Sequence, residues 1–213
     1  MSAEIVVFGR EPVPGRVKTR LARAIGAEAA AAVYAVLLRH TLDESLGTGL
    51  PVTLALADPP SAAYHAPRGV RLEQQVSGDL GRRMAAAFAD RFASGATAVV
   101  LVGSDVPRLA GHHLHEGAAA CADVSVVLGP ALDGGYWLVA QRAPGVDLFT
   151  GVPWSAPGTL EATRAGLRRL GVAWRELELL DDLDTTADLA RALDGSAIGP
   201  ELERAMRHRG GGR

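Results

Sequence analysis

Short apolar runs alternate along this chain with longer stretches whose apolar residues recur at helical spacing. The runs predict strands at Glu4–Phe8, Pro51–Ala57, Val70–Gln75, Thr97–Val102, Val124–Leu128, Tyr136–Ala140 and Val172–Glu178. The intervening stretches predict helices at Thr19–Leu46, broken near Gly26, and at Asp79–Phe92, where Leu80, Met84, Phe88 and Phe92 keep near-helical spacing. Further helices are expected over Ala110–Ala122, Pro157–Leu170 and Thr186–Leu193.

Strands that alternate with helices pair in parallel and carry helices on both faces of the sheet. Ala98-Val99-Val100-Leu101-Val102 and Val124-Ser125-Val126-Val127-Leu128 have the near-continuous apolar character of strands covered on both sides. Ligands of such sheets lie beyond the carboxyl ends of the strands. The loops after Phe8, Val102, Leu128 and Ala140 are therefore the places to look for chemistry. No repeat or linker divides the 213 residues, so one domain over 1–206 is expected, followed by a frayed tail, 207–213.

Composition narrows the partners. The 22 basic and 24 acidic side chains nearly cancel, and no long basic run marks a nucleic-acid surface. No run reaches the roughly 18 to 20 apolar residues of a membrane span. The single cysteine, Cys121, allows no intrachain disulfide and is expected as a small core residue at a helix end. A cytoplasmic monomer or homodimer acting on small molecules is expected.

The basic residues are 21 arginines and one lysine, Lys18. Lys18 stands in the loop after the first strand, Gly9-Arg10-Glu11-Pro12-Val13-Pro14-Gly15-Arg16-Val17-Lys18-Thr19-Arg20. Gly9 and Gly15 let backbone approach a ligand, the prolines stiffen the loop, and Arg10, Arg16, Lys18 and Arg20 surround it with positive charge. Thr19 can cap the helix that follows. The loop reads either as a phosphate cradle, with lysine as a compact point charge on one phosphate oxygen, or as a basic surface loop. It matches neither G-x-x-x-x-G-K-[ST] nor G-x-G-x-x-G.

Carboxylates follow the central strands. Asp105, in Gly103-Ser104-Asp105-Val106-Pro107, is placed either to hold Mg²⁺ or Mn²⁺ beside that cradle or to cap the next turn. Asp133-Gly134-Gly135 is either a tight turn or, with Tyr136 and Trp137, part of a site for a hydroxylated acceptor. Among Asp181, Asp182, Asp184 and Asp188, Asp184 is the expected site residue, with Thr185 or Thr186 as the helix cap. Gly78-Asp79-Leu80-Gly81-Arg82-Arg83 is either a surface for a nucleoside or a helix start capped by Ser77 or Asp79. The six histidines show no metal-ligand spacing and read as surface residues.

Six ordered blocks carry a family resemblance: Pro12–Leu21, Gly78–Met84, Gly103–Pro107, Leu128–Tyr136, Val152–Ser155 and Asp182–Thr185. Together they resemble the DUF2064 family, also called radical-SAM/selenodomain-associated transferase 1 or arsenosugar-biosynthesis-type glycosyltransferase. The family tends to carry lysine where this chain has Arg10. The resemblance implies a three-layer, Rossmann-like GT-A fold, with a mostly parallel mixed sheet and helices on both faces. It also implies a metal-dependent transferase using a nucleotide-activated donor and a small-molecule acceptor.

For glycosyl transfer from a nucleoside-diphosphate sugar, Arg10, Gly15, Lys18, Arg20, Gly78, Asp79, Gly81 and Arg82 would bind nucleotide and phosphate. Asp105 and Asp184 would hold Mg²⁺ or Mn²⁺. Asp133, Gly134, Tyr136 and Trp154 would face the acceptor, and Lys18, Asp105 and Asp133 would act in catalysis. The fold also hosts nucleotidyltransferases, so transfer of a nucleotidyl group from a nucleoside triphosphate is the alternative. A non-catalytic nucleotide-binding protein is the third reading.

Overall fold

A computed structural model describes residues 2–154 and 158–207 of the chain. Seven strands form one sheet: β1 (Ala3–Gly9), β2 (Val52–Leu56), β3 (Val70–Gln74), β4 (Ala98–Gly103), β5 (Val126–Pro130), β6 (Tyr136–Arg142) and β7 (Trp174–Glu176), in the order β3-β2-β1-β4-β6-β5-β7. The helices are α1 (Thr19–Ile25), α2 (Ala27–Gly47), α3 (Leu80–Ala93), α4 (Gly111–Ala120), α5 (Thr159–Leu170), α6 (Thr186–Gly195) and α7 (Gly199–Arg207).

The two-residue period of the strands sorts the core. In β1 and β4, Ile5, Val7, Val100 and Val102 face the layer built by α2 and α4, while Val6, Val99 and Leu101 face the layer of α3 and α5. Met84 and Phe88 of α3 and Leu160 and Leu167 of α5 close that second layer. Helix α2 is apolar on two sides because it is covered twice. Tyr34, Leu38 and Leu42 pack with the sheet, and Val33 and Leu37 pack with Leu21, Leu189 and Leu202 of α1, α6 and α7. Cys121 is a fully buried core residue just past α4, and burial pushes its thiol up to about 11.

Two features depart from the pattern of the sequence. First, β6 runs antiparallel to both β4 and β5. Its start, Tyr136, therefore lies at the carboxyl ends of its neighbours, and the loop after Ala140 leaves at the opposite edge of the sheet. None of residues 141–150 lines the clefts at the strand ends. Second, α7 is a further helix, anchored on α2 through the fully buried Leu202. Its charged residues Glu201, Glu203, Arg204 and Arg207 hide the apolar stripe in the sequence. Residues 208–213 of the expected tail, and the Pro157 start of the fifth expected helix, lie outside the described residues. No described helix is long and apolar enough to cross a membrane.

Candidate active site

Strands β1 and β4 are neighbours, with Phe8 paired to Gly103, so the loops that follow them emerge side by side. This pairing brings Lys18 to Asp105 across 87 positions of sequence. Lys18 Nζ donates to Asp105 Oδ2 at 3.0 Å and to Asp184 Oδ1 at 2.8 Å, with its side chain 4% exposed. Burial opposes the ammonium charge, but the two carboxylates more than offset it and hold the pKa above its ordinary range. Lys18 is also the described non-glycine residue with a left-handed backbone, at φ 44° and ψ 46°, and it immediately precedes α1. Thr19 is thus the first helical residue and not the cap. The left-handed backbone at Lys18 is a local cost, taken where its side chain pairs with Asp105 and Asp184.

A cleft of about 570 Å³ opens over this triad. Arg10, Arg16, Lys18, Arg20 and Arg83 give its lining positive charge. Arg10 pairs with Asp58 at 2.8 Å while its backbone N–H donates to the Tyr34 hydroxyl, which in turn hydrogen-bonds with Ser104. Arg20 lies 3.7 Å from Asp184. A second cleft, about 480 Å³, shares Arg20, Leu80, Asp105 and Asp184 with the first and continues to Asp133, Tyr136, Trp154, Thr159 and Asp182.

Several expected residues hold other places. Asp79 caps α3 by accepting from the Arg82 N–H at 2.8 Å. Arg82 is exposed and lies outside the cleft, whereas Arg83 lines it. Three positions after Leu80, Arg83 shares the inner helical face, a phase that helical spacing could have supplied. Gly81 is buried under an indole: a Cβ there would stand 2.4 Å from Trp154 Nε1. Its smallness serves packing between α3 and Trp154. Gly15 and Gly78 have positive φ, 78° and 131°, and shape their turns. Gly134 anchors α5 by accepting from the Leu160 N–H at 2.9 Å, and Gly135 lines the second cleft in its place.

Asp133 serves both of its alternatives. It accepts from the Gly135 N–H at 2.8 Å as a turn residue, and it lines the second cleft. Tyr136 offers its ring to that cleft, edge-on to Trp154 with centroids 6.4 Å apart, and burial pushes its phenol well above the ordinary range. Trp137 is 2% exposed and donates from Nε1 to the Glu178 carbonyl; it belongs to the core.

The residue that sequence reasoning passed over is Asp182. Its Oδ1 is buried and accepts no hydrogen bond among the described residues. Burial, then the Asp105 and Asp133 carboxylates beside it, pushes Asp182 up to about 8. An orphaned carboxylate oxygen beside Asp105, Asp133 and Asp184 suits a hard divalent cation, which takes oxygen ligands and would satisfy that atom. The expected pairing of Asp105 with Asp184 about a cation thus gains a third neighbour.

The histidines also need correction. His113 is 3% exposed, and it joins His112 and Glu178 in the one described group of three whose ligand atoms lie within 4.8 Å of one another. Its Nδ1 accepts from the Ala110 N–H at 2.9 Å. A neutral His113 therefore carries its proton on Nε2, directed at Glu178. Metal-bound histidines normally donate from the second nitrogen, so this polarity favours a hydrogen bond from the buried His113 to the exposed Glu178 over a metal ligand.

The sheet order, the single antiparallel strand and the cleft at the strand ends define a three-layer, Rossmann-like GT-A architecture, the class shared by nucleotide-sugar transferases and nucleotidyltransferases. Residues 41–156 match the family described as "Uncharacterized protein conserved in bacteria (DUF2064)", and the chain belongs to that family. A provisionally assigned nucleotide-diphospho-sugar transferase from Desulfovibrio desulfuricans G20 is similar at TM-score 0.87 and 26% identity, over 97% of each chain. The manganese complex of Rv0371c from Mycobacterium tuberculosis H37Rv is similar in fold at TM-score 0.51 and 21% identity, over 92% of this chain and 100% of that one. A nucleotidyl transferase from Methanothermobacter thermautotroptrophicus (Mth528) matches at TM-score 0.55 and 14% identity, over 95% and 98%. No curated protein matches the sequence.

Proposed function

We propose that the chain is a metal-dependent transferase that moves a glycosyl group from a nucleoside-diphosphate sugar to a small-molecule acceptor. The observation that carries this reading is the pair of adjoining clefts sharing Asp105, Asp184 and Arg20, one basic and one acidic and aromatic. The basic cleft suits a diphosphate gripped by Arg10, Arg16, Lys18, Arg20 and Arg83. The second cleft suits a sugar and acceptor, with Tyr136 and Trp154 supplying flat apolar faces and Asp133 a carboxylate to orient or deprotonate an attacking hydroxyl.

Asp105 and Asp184 would hold Mg²⁺ or Mn²⁺, with Asp182 beside them. Such an ion supplies charge stabilisation on a departing diphosphate. Lys18 and Arg20 neutralise the same phosphate oxygens from the protein side and fix their direction. Asp133 reaches the acceptor side without an ion-pair partner at its carboxylate among the described residues, which leaves it available to take a proton.

A second reading, nucleotidyl transfer from a nucleoside triphosphate, is favoured by the five basic side chains around the first cleft. Three of the five are paired with carboxylates in this structure, Arg10 with Asp58, and Lys18 and Arg20 with Asp184. The two readings are separated by thermal unfolding with Mg²⁺ or Mn²⁺ against nucleoside diphosphates, triphosphates and nucleotide sugars. A ligand at 100 times its Kd adds about 2.7 kcal/mol, a shift of several degrees in a domain of this size. A nucleotide sugar as the best stabiliser, with nucleoside diphosphate released on turnover, supports glycosyl transfer. A triphosphate as the best stabiliser, with pyrophosphate released, supports the second reading. No stabilisation by any of the panel overturns both.

A further inference from the structure

The His112–His113–Glu178 group has the wrong hydrogen-bond polarity for a metal. The cleft of about 370 Å³ beside α6 contains Arg191, which is already paired with Asp181 and Asp188. What remains unexplained is why the chain's single lysine sits where a metal would be expected to draw its ligands.

We propose that Lys18 is a built-in competitor of the divalent cation, so that the metal binds tightly only together with a polyphosphate that draws the Lys18 ammonium away. This rests on the nucleotide-transferase reading above. Three observations support it. Lys18 Nζ contacts one oxygen each of Asp105 and Asp184, the two carboxylates that would ligate the ion. The Lys18 side chain is 4% exposed, so its ammonium has little water to turn to if the half-exposed carboxylates are taken by another cation. Lys18 also lines the basic cleft, so phosphate oxygens placed there are within the reach of a flexible four-carbon stem.

With Nζ between them, the two carboxylates already have a cation. A divalent ion arriving alone would either stand against the ammonium or leave it buried without a partner, and both are unfavourable. A bound polyphosphate removes the conflict, because it offers Lys18 new acceptors and frees the carboxylates for the ion. Metal and polyphosphate then promote each other's binding, as linkage requires. Arginine could not do this as well, since its wide planar fork suits bidentate pairing more than a narrow exchange between two carboxylates and a phosphate.

The test measures Mn²⁺ binding by electron paramagnetic resonance in the wild type, Lys18→Met, and Lys18→Met combined with Asp105→Asn. The expected result is Mn²⁺ bound at least 10-fold more tightly by Lys18→Met than by the wild type, with that gain abolished by Asp105→Asn. Because Lys18 is the only lysine, its side-chain ammonium gives a single assignable ¹⁵N signal in the unmodified protein. That signal should stay in place with Mg²⁺ alone and move when Mg²⁺ and tripolyphosphate are added together. Equal Mn²⁺ affinity in wild type and Lys18→Met, or a Lys18 signal moved by Mg²⁺ alone, overturns the competition while leaving the metal site intact. Mn²⁺ binding that ignores Asp105→Asn, with tripolyphosphate present as well as absent, overturns the competition and the site reading together.

Discussion

The two clefts that meet at Asp105 and Asp184 are built in opposite ways. The basic cleft draws most of its charge from one stretch, Arg10 to Arg20, set against the end of the neighbouring strand β4. The acidic, aromatic cleft is gathered from Asp133 and Tyr136 around the β5–β6 turn, from Trp154 and Thr159, and from Asp182 and Asp184 before α6. A local loop needs only its own turn chemistry and one parallel neighbour to be placed. A gathered site needs the antiparallel insertion of β6 and the packing of Trp154 on Gly81 before it exists. The first is therefore expected to tolerate distant core changes better than the second.

The largest effect should come from the residue the clefts share. Asp105→Asn is expected to keep the fold, by circular dichroism, and to lose metal-dependent turnover on the order of 10²–10³-fold, the usual scale for removing one group that stabilises transition-state charge. Full activity in this variant would mean that neither cleft uses Asp105.

Next is the joint between the clefts. Gly81→Ala forces a methyl group against the Trp154 indole at 2.4 Å, backbone-anchored on one side. Overpacking of this kind costs about 1–3 kcal/mol. Adding Trp154→Ala should restore much of the loss, which a double-mutant cycle in urea would register as coupling. Additive effects of the two changes would show that the contact is not the cause.

A smaller effect tests the helical phase of the basic cleft. Arg83→Ala should weaken binding of the best-stabilising nucleotide about 10-fold, or about 1.4 kcal/mol, while Arg82→Ala should change it less than about 2-fold. The reverse order, measured by calorimetry, would return Arg82 to the site.

A fourth test concerns Asp182 with divalent ions chelated, and its size depends on pH. Its carboxyl ordinarily titrates near 3.8 and is pushed up to about 8 in the folded chain. Between those values the folded protein binds more protons than the unfolded one, so this group's contribution to stability falls as pH rises from about 4 to 8. Asp182→Asn removes that slope. Its unfolding midpoint should exceed the wild type's by a margin that grows toward pH 8, by about 2–4 °C for each kcal/mol. A margin independent of pH would show that Asp182 is ionised across the range.

The contrast between the clefts also sets what could be read in the chain. Lys18, Arg10 and Arg20 were legible because glycine, proline and clustered charge follow a strand within a few positions. Asp105 was legible because it ends an apolar run. Arg83 and Arg82 could not be separated without the helical phase, and Trp137 looked as good an acceptor contact as Trp154. Only the pleat of β6 sends Trp137 into the core, 2% exposed, while Tyr136 faces the cleft.

By itself, then, the sequence determined the alternation of strands and helices, the two apolar faces of β4 and β5, the basic loop around Lys18 and the carboxylate after β4. These depend on period, propensity and neighbours along the chain, which are local properties. The tertiary structure alone decided that β6 reverses direction, that α7 docks on α2 through Leu202, that Gly81 lies beneath Trp154, and that Asp182 is buried among like charges. Each of these depends on which distant surfaces meet, and the desolvation and repulsion that lift Asp182 arise only once they have met.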